Sequence, residues 1–115
     1  MANLEILDAD VFAGFSENPS RILILSKSDC QACKQWQEEL ETALAAGDLA
    51  ISLPIGKLNL DQRGLGDFKK ENEWLKEITD LPFNVIYKDG QIEKKWAGGK
   101  VDRLLNRLRG LSLVD

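Results

Sequence analysis

From the amino end, Leu4 and Ile6 alternate with polar neighbours as in a short edge strand, and Asp8 or Asp10 caps a helix whose apolar face is Val11, Phe12 and Phe15. Asn18-Pro19 ends that helix. The run RILILSK is continuously apolar from Ile22 to Leu25, the pattern of a central strand covered on both faces. From Cys30 onward, Cys33, Trp36, Leu40, Ala43 and Leu44 recur at steps of three and four, which predicts one buried stripe on a helix closing near Gly47. The segment PIGKLNLD predicts a second buried strand, and strand, helix, strand in that order implies a right-handed crossover with parallel pairing.

Farther on, Leu65, Phe68, Leu75 and Ile78 predict one more helix, ending before Asp80-Leu81-Pro82. FNVIYKDGQIEKKW holds two antiparallel strands joined at Asp89-Gly90, a dipeptide suited to a tight hairpin. After Gly98-Gly99, the residues Val101, Leu104, Leu105, Leu108 and Leu111 line one face of a terminal helix. The predicted order is β-α-β-α-β-α-β-β-α, an α/β fold. No linker, repeat or low-complexity tract interrupts it, so residues 1-115 are expected to form a single domain.

The composition, 43% hydrophobic and 30% charged, is that of an ordinary soluble domain. A formal charge of −4 argues against nucleic-acid and anionic-membrane partners, whose phosphates repel an acidic field. The first ten residues carry three acids and no base, and no apolar run approaches the ~20 residues that span a bilayer, so a cytoplasmic location is expected. The chain contains no histidine, which excludes Ser-His-Asp and Cys-His catalysis and His-ligated metal.

Two cysteines, Cys30 and Cys33, stand three apart where the first buried strand passes into its helix. Taken alone the pair permits a redox couple, half of a metal clamp, or two small core residues. The clamp offers only two soft ligands and needs a second chain or an added thiol to complete four.

The context resembles the thioredoxin family over nearly the whole chain. Cys-x-x-Cys lies between a central strand and a helix; KLNLDQ, from Lys57 to Gln62, is similar to the third strand of bacterial thioredoxins; and Pro82, Asp89-Gly90 and Gly98 have the mutual spacing of that family's cis-proline, hairpin turn and following glycine. The resemblance implies a thioredoxin fold, a central mixed sheet of about five strands flanked by four helices. It also implies a redox disulfide between Cys30 and Cys33, a cis Leu81-Pro82 bond that presents the Leu81 backbone to an extended substrate, and a binding surface completed by Gln31, Ala32 and Gly98. No cofactor or metal is expected. The implied partners are protein disulfides and a thiol donor such as a thioredoxin reductase, acting on a monomer.

The departures from the family are specific. Asp29-Cys30-Gln31-Ala32-Cys33 stands where Trp-Cys-Gly-Pro-Cys is usual, Ile24 replaces a buried aspartate, Glu38 replaces a helix-kinking proline, and the stretch from Asp61 to Pro82 is several residues longer. Two residues three apart on a helix lie about 5–6 Å from each other, within reach of a disulfide. Cys30, nearer the positive end of the helix, is the expected nucleophile and Cys33 the resolving thiol. Asp29 opposes the helix dipole, since a neighbouring negative charge raises a thiol's pKa. Lys57 retains the family's lysine without its acid partner, and reads as a strand residue whose amine reaches the surface and supports the site. Trp36, Trp74 and Trp96 are assigned to packing, and the charged segment from Asp67 to Glu77 to a solvated face. Two rival functions remain: a thioredoxin-fold module that binds or senses without turnover, and a glutaredoxin-like protein, which Gly98-Gly99 and Asp102 faintly echo.

Overall fold

A computed structural model describes residues 4–49 and 51–114. Its elements run β1 (Leu4–Leu7), α1 (Ala9–Phe15), β2 (Arg21–Ser26), α2 (Gln31–Ala46), β3 (Ile55–Asn59), α3 (Gly66–Glu71), a 3-10 helix (Glu73–Glu77), β4 (Phe83–Lys88), β5 (Gln91–Ala97) and α4 (Val101–Gly110). The strands form one mixed sheet in the order β1-β3-β2-β4-β5. β3 runs parallel to β1 and β2, and β4 pairs antiparallel with both β2 and β5.

The uninterrupted apolar run of β2 has its predicted cause: the strand is central and every residue from Arg21 to Ser26 is buried. Residues alternate between two faces. Under α2 and α4 lies a cluster containing Ile22, Ile24, Trp36, Leu40, Ile86, Trp96 and Leu104. Under α1, α3 and the 3-10 helix lies a second, with Leu7, Phe15, Leu23, Leu25, Leu58, Phe68 and Val85. Five strands and four helices in two apolar layers match the architecture that the sequence predicts.

Three local expectations are corrected. Ile6 is 59% exposed and the buried residue of β1 is Leu7, because β1 is the sheet edge and Ile6, beside Lys57, stands at the open margin of the α2 face. Val11 is 47% exposed, because the seven-residue α1 turns only a narrow face, Phe12 and Phe15, onto the sheet. The single helix expected across Leu65 to Ile78 is two pieces, broken at Asn72, whose backbone leaves the helical region and whose amide donates to the Phe68 carbonyl at 2.8 Å. The cap of α1 is Asp8, which accepts the Val11 N–H at 2.8 Å.

Candidate active site

β2 ends at Ser26, and Lys27 to Cys30 make a tight turn closed by the Cys30 N–H on the Lys27 carbonyl at 3.3 Å. A carboxylate from the next loop braces this turn: Asp61 accepts the Ser28 N–H at 3.2 Å on each oxygen and also the Ser28 hydroxyl. The Ser28 hydroxyl, more than any other group, holds the Asp61 carboxyl below its usual pKa. Ser26 itself is buried and donates its hydroxyl to Asn59 at the end of β3.

Cys30 is the N-cap of α2. Its Sγ accepts the Cys33 N–H at 3.1 Å, taking one of the orphan donors that a helix start leaves, and its carbonyl accepts the Lys34 N–H at 3.2 Å. Cys30 and Cys33 are joined by a disulfide, with Cα atoms 5.2 Å apart. The two sulfurs differ in surroundings: Cys33 is 1% exposed, whereas Cys30 is half-buried between the exposed Asp29 and the exposed Gln31 and Ala32.

The sheet brings the other predicted residues to the same end. Leu25 pairs with Phe83 and Phe83 with Ala97, so the Cys30 turn, Leu81-Pro82 and Gly98-Gly99 all leave the sheet together, joined there by Asp61 after β3. The Leu81-Pro82 peptide is cis, with Leu81 half-buried and Pro82 buried. The Gly98 N–H donates to the Pro82 carbonyl at 2.8 Å, and the Gly98 carbonyl accepts the Asn84 amide at 2.6 Å.

Lys57 departs from its expected placement. It points under α2, 9% exposed, and its Nζ donates to Gln37 Oε1 at 2.7 Å rather than reaching freely into solvent. Gln37 lies one turn beyond Cys33 on α2. Burial pushes the Lys57 amine below the usual lysine pKa, and the positive charge of Lys34 adds to this while Glu41 opposes it. Lys57 sits beside Ile24 in the ladder, and Ile24 on its other side pairs with Asn84. Ile24, 2% exposed, packs in the apolar cluster, so an aliphatic side chain occupies the position for which the resemblance implies an acid.

Four contributors were not singled out from the sequence: Asp61, Ser28, Gln37 and Asn84. Asn84 left a visible signal, a polar residue inside the apolar run FNVIY, and the burial of its amide accounts for it. Trp36, assigned to packing, also donates its indole N–H to Asn84 Oδ1 at 2.8 Å. Among the described residues, no three His, Cys, Asp or Glu side chains group as a metal site, and no helix is long and apolar enough to cross a membrane.

No family model matches the sequence, and no curated protein matches it. Solved structures do. Thioredoxin f from spinach chloroplast, long form, superposes with a TM-score of 0.73 at 19% identity, over 96% of this chain and 87% of that one. Thioredoxin f2 of Chlamydomonas reinhardtii gives 0.69 at 20% identity, covering 98% of this chain and 100% of its own. Oxidised thioredoxin O1 of Arabidopsis thaliana gives 0.66 at 14% identity, over 93% and 96%. With a five-stranded mixed sheet, four helices and a Cys-Gln-Ala-Cys disulfide at the head of its second helix, the chain has the thioredoxin fold.

Proposed function

We propose that the protein is a thiol-disulfide oxidoreductase that reduces protein disulfides through Cys30 and Cys33. The observation that carries this reading is the asymmetry of the pair: a half-exposed Cys30 at the amino end of a sixteen-residue helix, bonded to a fully buried Cys33. An exposed thiol at a helix start is stabilised as thiolate, the attacking species, while a buried one is reserved for intramolecular attack.

In the reduced protein, the Cys30 thiolate attacks one sulfur of a substrate disulfide, and the other substrate sulfur leaves as a thiolate that takes a proton from water. Cys33, its proton released to solvent, then attacks Cys30 Sγ, closes the Cys30–Cys33 bond and expels the second substrate thiol. Two electrons pass to the substrate, and a dithiol donor, such as a thioredoxin reductase or another thiol protein, returns two to the pair. Lys57, anchored by Gln37 one turn beyond Cys33, supports the resolving thiolate with positive charge, whereas Asp29 restrains that of Cys30. The Leu81 backbone beside Pro82 pairs with an extended substrate, flanked by Gln31, Ala32 and Gly98. The protein acts in this reading as a cytoplasmic monomer.

The test is turnover of an insulin disulfide with dithiothreitol as donor. The parent protein is expected to accelerate reduction and Cys30→Ser to abolish it; undiminished turnover in that variant overturns the reading. One observation favours a second reading, a binding or sensing module without turnover: Ile24 leaves Cys33 without an acid from β2. Cys33→Ser separates the two, because an oxidoreductase accumulates mixed disulfides with several proteins and a module with one or none.

A further inference from the structure

Asn84 is 1% exposed in the middle of β4, and a buried amide is tolerated only where its hydrogen bonds are made. It makes three of the four that an amide side chain offers, each to a different part of the molecule. Its Oδ1 accepts the indole N–H of Trp36 on α2 at 2.8 Å, and its Nδ2 donates to the Trp96 carbonyl on β5 at 3.3 Å and to the Gly98 carbonyl beyond β5 at 2.6 Å. The Gly98 N–H in turn holds the Pro82 carbonyl at 2.8 Å, and Pro82 lies two residues before Asn84. The loop also lies flat on the indole: a Cβ at Gly99 would stand 2.7 Å from Trp36 Cγ and Cδ2. Trp36 is three residues after Cys33, on the same face of α2.

We infer that Asn84 is a positioning residue, which fixes the turn of α2 bearing Cys33 against the Leu81-Pro82 and Gly98-Gly99 loops, so that a substrate held by those loops meets the cysteines in register. The inference rests on the redox reading above and adds to it the part that aligns substrate and thiols. Volume alone does not explain the residue. An aliphatic side chain at 84 fills the space among Ile24, Trp36 and Trp96, and what the amide adds is direction to both loop and helix. No member of the circuit titrates, so its effect is independent of pH.

The experiment compares the parent with Asn84→Leu and Trp36→Phe in the full chain, using an insulin disulfide and a small aromatic disulfide, dithiobis(nitrobenzoate), which requires no docking. In Asn84→Leu the KM for insulin is expected to rise about tenfold at every pH tested, while the rate on the small disulfide falls by no more than about twofold. Trp36→Phe keeps an aromatic ring and the Asn84 bond to Gly98 while losing the indole N–H, and is expected to show the same split, smaller; it serves if Asn84→Leu does not fold. Parallel losses on both substrates, or no change on either, overturn the inference, since a merely structural role lowers both with the folded fraction. If the parent itself reduces neither disulfide, the redox reading fails, and positioning is read from hydrogen exchange instead. Protection of the Gly98 amide is then expected to fall by about tenfold or more in Asn84→Leu with the rest of the sheet unchanged, and unaltered protection overturns it.

Discussion

The two faces of the central sheet bury similar apolar clusters and differ in what else they bury. Under α1 and α3, the layer of Leu7, Phe15, Leu23, Leu25, Leu58 and Val85 is hydrocarbon, and beside Tyr87 its one buried ion among the described residues, Arg21, lies at the end of β2 far from the cysteines. There the guanidinium stacks on Tyr87, 3.6 Å from the ring centroid, and donates to the Asn18 carbonyl at 2.8 Å, so it closes the base of the fold. Under α2, Ser26, Lys57 and Asn84 are all buried in the half of the sheet nearest the disulfide. Apolar contacts hold a layer at a distance without fixing its direction; hydrogen bonds fix direction at a cost in desolvation. The polar groups therefore collect where a helix and four loops must keep a set geometry.

Two close approaches, one on each face, test this difference most strongly. A Cβ at Gly56 on β3 would meet Leu7 Cδ1 at 2.5 Å and the Phe15 ring at 2.9 Å, and one at Gly99 would meet the Trp36 indole at 2.7 Å. Either alanine substitution overpacks a filled space, a change that costs about 1–3 kcal/mol, read as a shift in the denaturant midpoint. Gly56→Ala is expected to lower stability and to leave the protein-disulfide activity of the folded fraction at the parental level. Gly99→Ala is expected to lower both, because the displaced indole is the one bonded to Asn84. Equal loss of activity per folded molecule in both variants would erase the functional distinction between the faces.

Lys57 sharpens the comparison within the polar face, with a smaller effect. Its folded-state pKa is lowered chiefly by burial, so between that value and the unfolded value near 10.5 the unfolded chain binds more protons, and stability rises with pH across this window. Below the window the penalty for the buried cation is full and constant; above it the penalty is gone. Lys57→Met is therefore expected to be more stable than the parent at neutral pH, with the gain vanishing as pH rises to the ordinary lysine value, as followed by thermal unfolding. A gain that persists above that pH would assign it to packing and not to charge.

What the sequence made legible follows the same division. Order and type of elements came from local pattern: the filled run of β2, the stripe on α2 and the Asp89-Gly90 hairpin are properties of neighbouring residues, and each element stands where its pattern puts it. The polar contacts are not local. Trp36 and Asn84 are 48 positions apart, Lys57 and Gln37 are 20 apart, and Ser28 and Asp61 are 33 apart, so no window of sequence contains both partners. Ile6 and Val11 misled for the converse reason: an apolar residue at the correct spacing is buried only if another element covers it, and coverage is set by the sheet edge and by helix length. The break at Asn72 was readable, since asparagine is a common helix stop, but the apolar spacing around it suggested continuity.

Asp61 gives the smallest expected effect and reaches beyond both faces, to the turn before Cys30. Its carboxylate is fully exposed, yet three contacts to Ser28 brace that turn and hold its pKa below the usual 3.8. A carboxyl depressed in the folded state contributes stability that is present above the unfolded value and is lost as pH falls through the folded one. Asp61→Ala is thus expected to melt slightly below the parent at neutral pH, and the gap is expected to close as the medium is acidified from 3.8 down through the lower folded-state value, where the parent's own carboxylate is protonated. Ser28→Ala, which removes the hydroxyl and leaves its backbone N–H, is expected to reproduce part of the gap with the same pH dependence. A gap that stays constant into acid would mean that Asp61 braces the turn without its charge, and no gap at neutral pH would mean that the turn is held by its backbone bond to Lys27 and that the disulfide's outer edge, unlike its inner one at Asn84, needs no side-chain brace.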